Sequence, residues 1–175
     1  MALVVVNYPS ISEHDYNWIQ AIRAEYDIYY EIVSPHFTFV FPCSITDEAG
    51  FVRHIKQRSY GVKKIHFVAK CALVVKGRVS EYTHVFLIPD DGFSDIVKLH
   101  DRLYTDLLAS ELRLDIPFLP HIGIGNGVNP QVCKTLADNL NRTGFSIGGT
   151  IDALDIASFD GKEIKTIEHI QLQES

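Results

Sequence analysis

Two short stretches of the chain hold residues able to move protons beside a phosphate: PHFTFVFP at 35–42 and PHIGIGN at 120–126. Each places a histidine after a proline and before an apolar residue, leading into a strand. Side chains alternate across a strand, so residues two apart share a face. In the first stretch Phe37, Phe39 and Phe41 fall on one side, and His36, Thr38 and Val40 on the other. The phenylalanines mark the buried side, which turns His36 and Thr38 together toward a cleft. In the second stretch Ile122 and Ile124 go inward, leaving His121 outward with Gly123 and Gly125. Two imidazoles facing each other suit in-line displacement at phosphorus. A neutral one takes the proton from the attacking water or hydroxyl, and a protonated one donates to the leaving oxygen. A reference pKa of about 6.5 lets both forms exist near neutrality. Thr38 can donate its hydroxyl to a non-bridging oxygen. The scheme needs no metal and no cofactor.

The elements that position these residues repeat. LVVVNYP (3–9) reads as a buried strand from its β-branched content, and Ser10 with Glu13 reads as a capping box. Ile11, Trp18, Ile22 and Tyr26 then fall near one helical face. EIVSPHFTFVF (31–41) is the histidine strand, followed by a helix over 46–59 and a strand over 63–75, with KGRVSEY as a turn. The second half has the same order. HVFLIPD (84–90) matches the first strand, and a helix over 93–109 presents Phe93, Ile96, Val97, Leu103 and Leu107. FLPHIGIGN (118–126) is the second histidine strand. Asn129 and Pro130 open a further helix that Gly144 stops. Residues 145–159 and 162–173 form a closing hairpin around Asp160-Gly161. The expectation is a single bilobal domain over 1–175, with lobes of about 1–80 and 81–175 that do not fold separately and a cleft between them.

Composition narrows the ligand. The net charge is −6 and no basic block exceeds Val62-Lys63-Lys64, so the chain lacks the basic stripe that an extended duplex requires. A small phosphorylated molecule or an RNA end needs only local donors. Three cysteines without close spacing argue against a disulfide framework or a zinc ribbon and fit a reducing cytosol. The apolar run at 2–6 reads as a strand, not a leader, and no run is long enough to span a bilayer. The expectation is a cytoplasmic protein, monomeric for want of heptads.

The duplicated order, with PHFTFV and PHIGIG as paired signatures, resembles the 2H phosphoesterase superfamily, and within it the 2′-5′ RNA ligase-like and cyclic phosphodiesterase proteins. The likeness covers nearly the whole chain, down to TIDALDIASFDGKEIKTIEHIQL at its end. It implies an α+β, pseudo-two-fold duplicated fold of mainly antiparallel sheets flanked by helices. It also implies hydrolysis of a 2′,5′-phosphodiester or a 2′,3′-cyclic phosphate in a small nucleotide or at an RNA end. His36 and His121 would be the acid–base pair, in either assignment, with Thr38 holding the phosphate and the Gly123 amide assisting. Tyr8 is a candidate for stacking on a base, against the commoner role of a core or rim aromatic.

The family pattern is His, any residue, then Thr or Ser, in each half, and Gly123 departs from it. A lost hydroxyl donor to a phosphate oxygen is worth roughly 1.5–3 kcal/mol, or one to two decades in rate. An amide or a water replaces it, the substrate is bulkier there, or the site binds with little turnover. The rival functions are accordingly a nucleotide- or RNA-end-binding module and an RNA 2′-5′ ligase. The histidines at 14, 54, 66, 84, 100 and 169 lack metal spacing and read as surface or satisfied polar residues; GIGNG (123–127) reads as a strand-end turn.

Overall fold

The computed structural model describes residues 1–78 and 80–174; the 76–82 turn thus includes Val79, which lies outside the described residues. In chain order the elements are β1 (Ala2–Asn7), β2 (Ser10–Ile11), α1 (Glu13–Tyr26), β3 (Phe37–Cys43), α2 (Glu48–Ser59) and β4 (Ile65–Lys76). There follow β5 (Thr83–Asp91), α3 (Phe93–Leu103), a 3₁₀ turn (Asp106–Glu111), β6 (Ile122–Gly127), α4 (Pro130–Thr143), β7 (Ile147–Ile151), β8 (Ala153–Phe159) and β9 (Ile164–Gln171). One sheet has the order β3-β1-β8-β9 and the other β2-β7-β4-β5-β6. Their ladders are antiparallel.

A pseudo-two-fold relates β3-β1-β8-β9 to β6-β5-β4-β7, which makes the two histidine-bearing strands equivalent edge strands. The sheets mix the halves of the sequence. β4 pairs with β5, while β8 and β9 return to β1. The switch occurs within 145–159, which was expected to be one strand and instead breaks at Asp152 into β7 and β8, in different sheets. Within β7, Gly149 lets the neighbouring strands β2 and β4 pack closely, because a Cβ there would lie 2.6 Å from Ile11 Cγ2 and 2.8 Å from the Phe67 ring. The hairpin at Asp160-Gly161 forms as expected, with Asp160 Oδ1 accepting from the amides of Lys162 and Glu163.

Three local expectations need correction. The cap of α1 is Ser12, whose side chain accepts from the Asp15 amide, because Ser10 pairs with Thr150 in β2 and bonds Asp152. The helix begun at Phe93 ends at Leu103, where Thr105 adopts an extended backbone. The tighter 3₁₀ turn after it buries Leu108 and leaves Leu107 exposed. The N-cap Asn129, Pro130 and the stop at Gly144 stand as expected.

The core lies between the sheets and their helices, with Val5, Phe37, Phe39, Phe67, Leu87, Ile122, Ile124 and Ile156 fully buried. Each such side chain contributes about 1.5–3 kcal/mol of transfer free energy. Both edge strands are thereby fixed by their inward side chains, leaving their other face to the cleft.

Candidate active site

His36 and His121 do not lie within strands; each stands immediately before one, after the proline. The two are held alike. His36 Nδ1 is 2.8 Å from the carbonyl of Ser34, and His121 Nδ1 is 2.6 Å from that of Leu119. A carbonyl only accepts, so each Nδ1 carries the proton and donates it, which leaves each Nε2 as a free acceptor. Pro35 and Pro120, between donor and acceptor residues, restrict the backbone of both turns.

The register of the edge strands repeats as well. On β3 one extra residue falls between the pairs Val6–Thr38 and Val5–Val40, and on β6 one falls between Phe86–Gly123 and Val85–Gly125. These bulges correct the simple alternation. Phe39 and Val40 are both buried, while Phe41 turns to the cleft; Ile124 and Gly125 are both buried, while Asn126 turns to it. The side chains that reach the cleft are therefore those of His36, Thr38, Phe41, His121 and Asn126, with Gly123 and Gly125 also in its lining. Gly125 reaches the cavity lining through its backbone, since a Cβ there would point at α1 and α4, 3.1 Å from Tyr26 Cβ and 3.3 Å from Leu136 Cδ2. GIGNG is thus strand, not turn.

His36, Thr38, His121 and Gly123 line one cavity of about 280 Å³ between the sheets. A Cβ built at Gly123 meets nothing within 4 Å, so crowding is not what removes the second hydroxyl. Tyr8 stands outside that lining. It packs against the cluster of Val4, Val6 and Ala157 and meets His36 edge-on, with centroids 6.2 Å apart.

Burial lowers the pKa of His36 most, with Arg23 adding to the effect; the bond to Ser34 and the charge of Asp27 oppose it. His121 falls to about 4, chiefly through burial, with repulsion from His36 and His84 against the bond to Leu119. The mutual influence of the two imidazoles follows from their sharing one hollow.

Three features escaped the sequence reading. His84 is not a bland surface residue: it lines the cavity beside Phe86, and Phe86 stacks on His121. The other histidines do hold ordinary contacts, as His54 to Leu103 O and His100 to Phe39 O show. The third feature is a buried ion pair. Arg23 Nε donates to Asp27 Oδ2 at 2.8 Å, and Asp27 Oδ1 accepts from Asn126 Nδ2 at 2.7 Å. The guanidinium also holds the carbonyls of Tyr29 and Val33, shaping the segment that delivers His36. Ile19 and Arg23 on α1 and Asp27 at its C-cap recur every four residues, a spacing that would have placed both charges on the buried face.

Two imidazoles pinned alike line one cavity on a doubled antiparallel fold, the arrangement that the resemblance to the two-histidine phosphoesterases implies. The model of the 2′-5′ RNA ligase superfamily matches residues 11–163, and the chain belongs to that family. A Bacillus licheniformis protein named "Putative phosphoesterase" is 22% identical over 150 residues, spanning 85% of this chain and 84% of its own. Escherichia coli LigT superposes in its apo form with a TM-score of 0.54 at 14% identity, covering 99% of this chain and 98% of LigT. LigT complexed with 3′-AMP superposes at 0.53 with 13% identity and the same coverage. These likenesses show the fold, and the family gives a phosphoesterase-type function. Among the described residues, no helix is long and apolar enough to cross a membrane.

Proposed function

We propose that the chain hydrolyses phosphodiesters without a metal, acting on 2′,5′-linked or 2′,3′-cyclic phosphates of small nucleotides or RNA ends. The observation that carries this reading is the pair of imidazoles pinned alike through Nδ1, both lining one cavity. The LigT complex with 3′-AMP supports a small nucleotide as ligand.

His121 is the base. Burial and two imidazole neighbours keep it unprotonated, so its Nε2 accepts the proton of the attacking water while the water oxygen bonds phosphorus. His36 is the acid. Burial lowers its pKa in the empty cleft, and an anionic phosphate bound in the cavity is what draws a proton onto its Nε2. As the P–O bond to the leaving group breaks, His36 Nε2 gives its proton to that oxygen. Thr38 donates to a non-bridging oxygen, and the Gly123 amide serves the other side, where the absent Cβ leaves space.

Hydrolysis of 2′,3′-cyclic and 2′-5′-linked nucleotides tests the reading when the native chain is compared with His36→Ala and His121→Ala, with a chelator present. Losses of about 10²–10⁴-fold are expected, as for removal of a general acid or base. Activity that vanished with the chelator would overturn the metal-free scheme. The vacancy at Gly123 favours one second reading, a binding module of the same fold. Equal slow rates in native and His121→Ala protein would establish that reading instead.

A further inference from the structure

The two walls of the cleft differ in chemistry. On the four-stranded sheet the floor is Val4 and Val6 of β1, continued by Phe159 of β8 and Ile164 of β9. These side chains form an apolar cluster with Ala157, apart from the main core. On the five-stranded sheet the equivalent positions of β5 hold His84 and Phe86, with Asn126 paired opposite His84 on β6. The pseudo-two-fold superposes the strands but not the surfaces they show to a ligand.

Charge is equally restricted. Among the described residues lining the cavity, the fixed charges are Arg23 and Asp27, which pair with each other at side-chain exposures of 1% and 6%. The guanidinium is further committed to Gln20 and to two carbonyls. No lysine is in the lining, and burial disfavours protonation of His36, His84 and His121 alike. A ligand with a second phosphate therefore meets no uncommitted fixed cation there, in a chain of net charge −6. At about 280 Å³ the hollow is also near the small end of ligand cavities, roughly 300–1,000 Å³.

We propose that the cleft selects a mono-anionic phosphodiester with one apolar ester group, lying over Val4, Val6, Phe159 and Ile164, and disfavours ligands that carry further phosphates. This rests on the cleft being the phosphodiester site, and it narrows the substrate class to small diesters with a single phosphate, away from RNA ends and longer 2′,5′-linked oligomers. His84, Phe86 and Asn126 take the other ester group. The inequality of the walls also sets the direction in which a diester enters, so only one of its two oxygens is presented to the acid.

Titration calorimetry of the native chain with dimethyl phosphate, dibenzyl phosphate and ATP tests the proposal. Dibenzyl phosphate is expected to bind at least about tenfold tighter than dimethyl phosphate, as burial of its apolar area requires. ATP is expected to bind more weakly than dibenzyl phosphate. Ile164→Lys should shrink the first ratio and strengthen ATP. Equal affinity for the two diesters, tighter binding of ATP than of dibenzyl phosphate, or no binding of dibenzyl phosphate at millimolar concentration would overturn it. Hydrolysis of bis(4-nitrophenyl) phosphate by native and His121→Ala protein separates this from the chemistry. If the affinity order holds while both proteins turn over equally, the acid–base assignment fails and the ligand class stands. If turnover needs His121 and the affinity order is reversed, the ligand class fails and the chemistry stands.

Discussion

Phe86 lies flat against His121, with ring centroids 3.6 Å apart and planes inclined by 19°; His84 stacks on the same Phe86 at 5.5 Å. A phenyl face excludes water from one side of the imidazole, and burial is the main reason that His121 titrates at about 4. Replacing the flat ring by a branched aliphatic side chain in Phe86→Leu should therefore return the His121 pKa toward 6.5. An NMR titration of the His121 ring protons reads this directly. The acid limb of the kcat/KM profile should move up with it. A pKa that stayed near 4 would assign the desolvation to other neighbours.

Gly123 offers the opposite kind of change. It has an ordinary negative-φ strand backbone and open space where a side chain would stand. Gly123→Thr should fold and gain about 0.4–1 kcal/mol from lost freedom in the unfolded chain. On a small cyclic diester the new hydroxyl should raise kcat/KM by about tenfold, the lower end of what a charged hydrogen bond supplies. Thermal melts and initial rates check the two halves separately. A stabilised protein with slower turnover would mean that the substrate fills the space.

The Arg23–Asp27 pair holds α1, β6 and the segment before His36 together. Asp27→Ala leaves a guanidinium buried without its partner and should cost about 3–5 kcal/mol in urea unfolding. Arg23→Met/Asp27→Leu, which removes both charges, should cost less than Asp27→Ala alone. A double variant less stable than the single would show that the bonds to the Tyr29 and Val33 carbonyls, not the ion pair, dominate.

The paired histidines were legible because type and context repeat in two stretches, and alternation points His36 and Thr38 to one side. Beyond Thr38 alternation failed. A one-residue bulge leaves no mark in composition, yet it put Phe41 in place of Val40 on the cleft side and added Asn126 beside Gly125. The strand order was legible as a repeat, whereas the return of β8 to β1 was not, since pairing partners depend on long-range packing. His84 was misread because a histidine on a strand of one half has no matching residue in the other, where Val4 stands. Arg23 was missed since charge on a helix ordinarily signals solvent, and only the network around it offsets its burial.

The depressed pKa of His121 also makes a statement about stability. Unfolded, the imidazole titrates near its ordinary 6.5; folded, it titrates at about 4. Above 6.5 neither state holds the proton, and the neutral ring is fully compatible with the fold. As the pH falls from 6.5 to 4, the unfolded chain binds a proton that the folded one refuses, so stability declines with falling pH by about 3 kcal/mol from this group. His36, His84 and His100, also lowered mainly by burial, act in the same direction, whereas His169, raised by its bond to Asp155, acts in the other. The contribution of His121 alone is the difference between native protein and His121→Gln, measured as urea midpoints between pH 7.5 and pH 4. The native midpoint should fall more steeply, and the two curves should run parallel above pH 7. Parallel curves through the whole range would mean that His121 is not held neutral by the fold, and its assignment as the base would fall with that result.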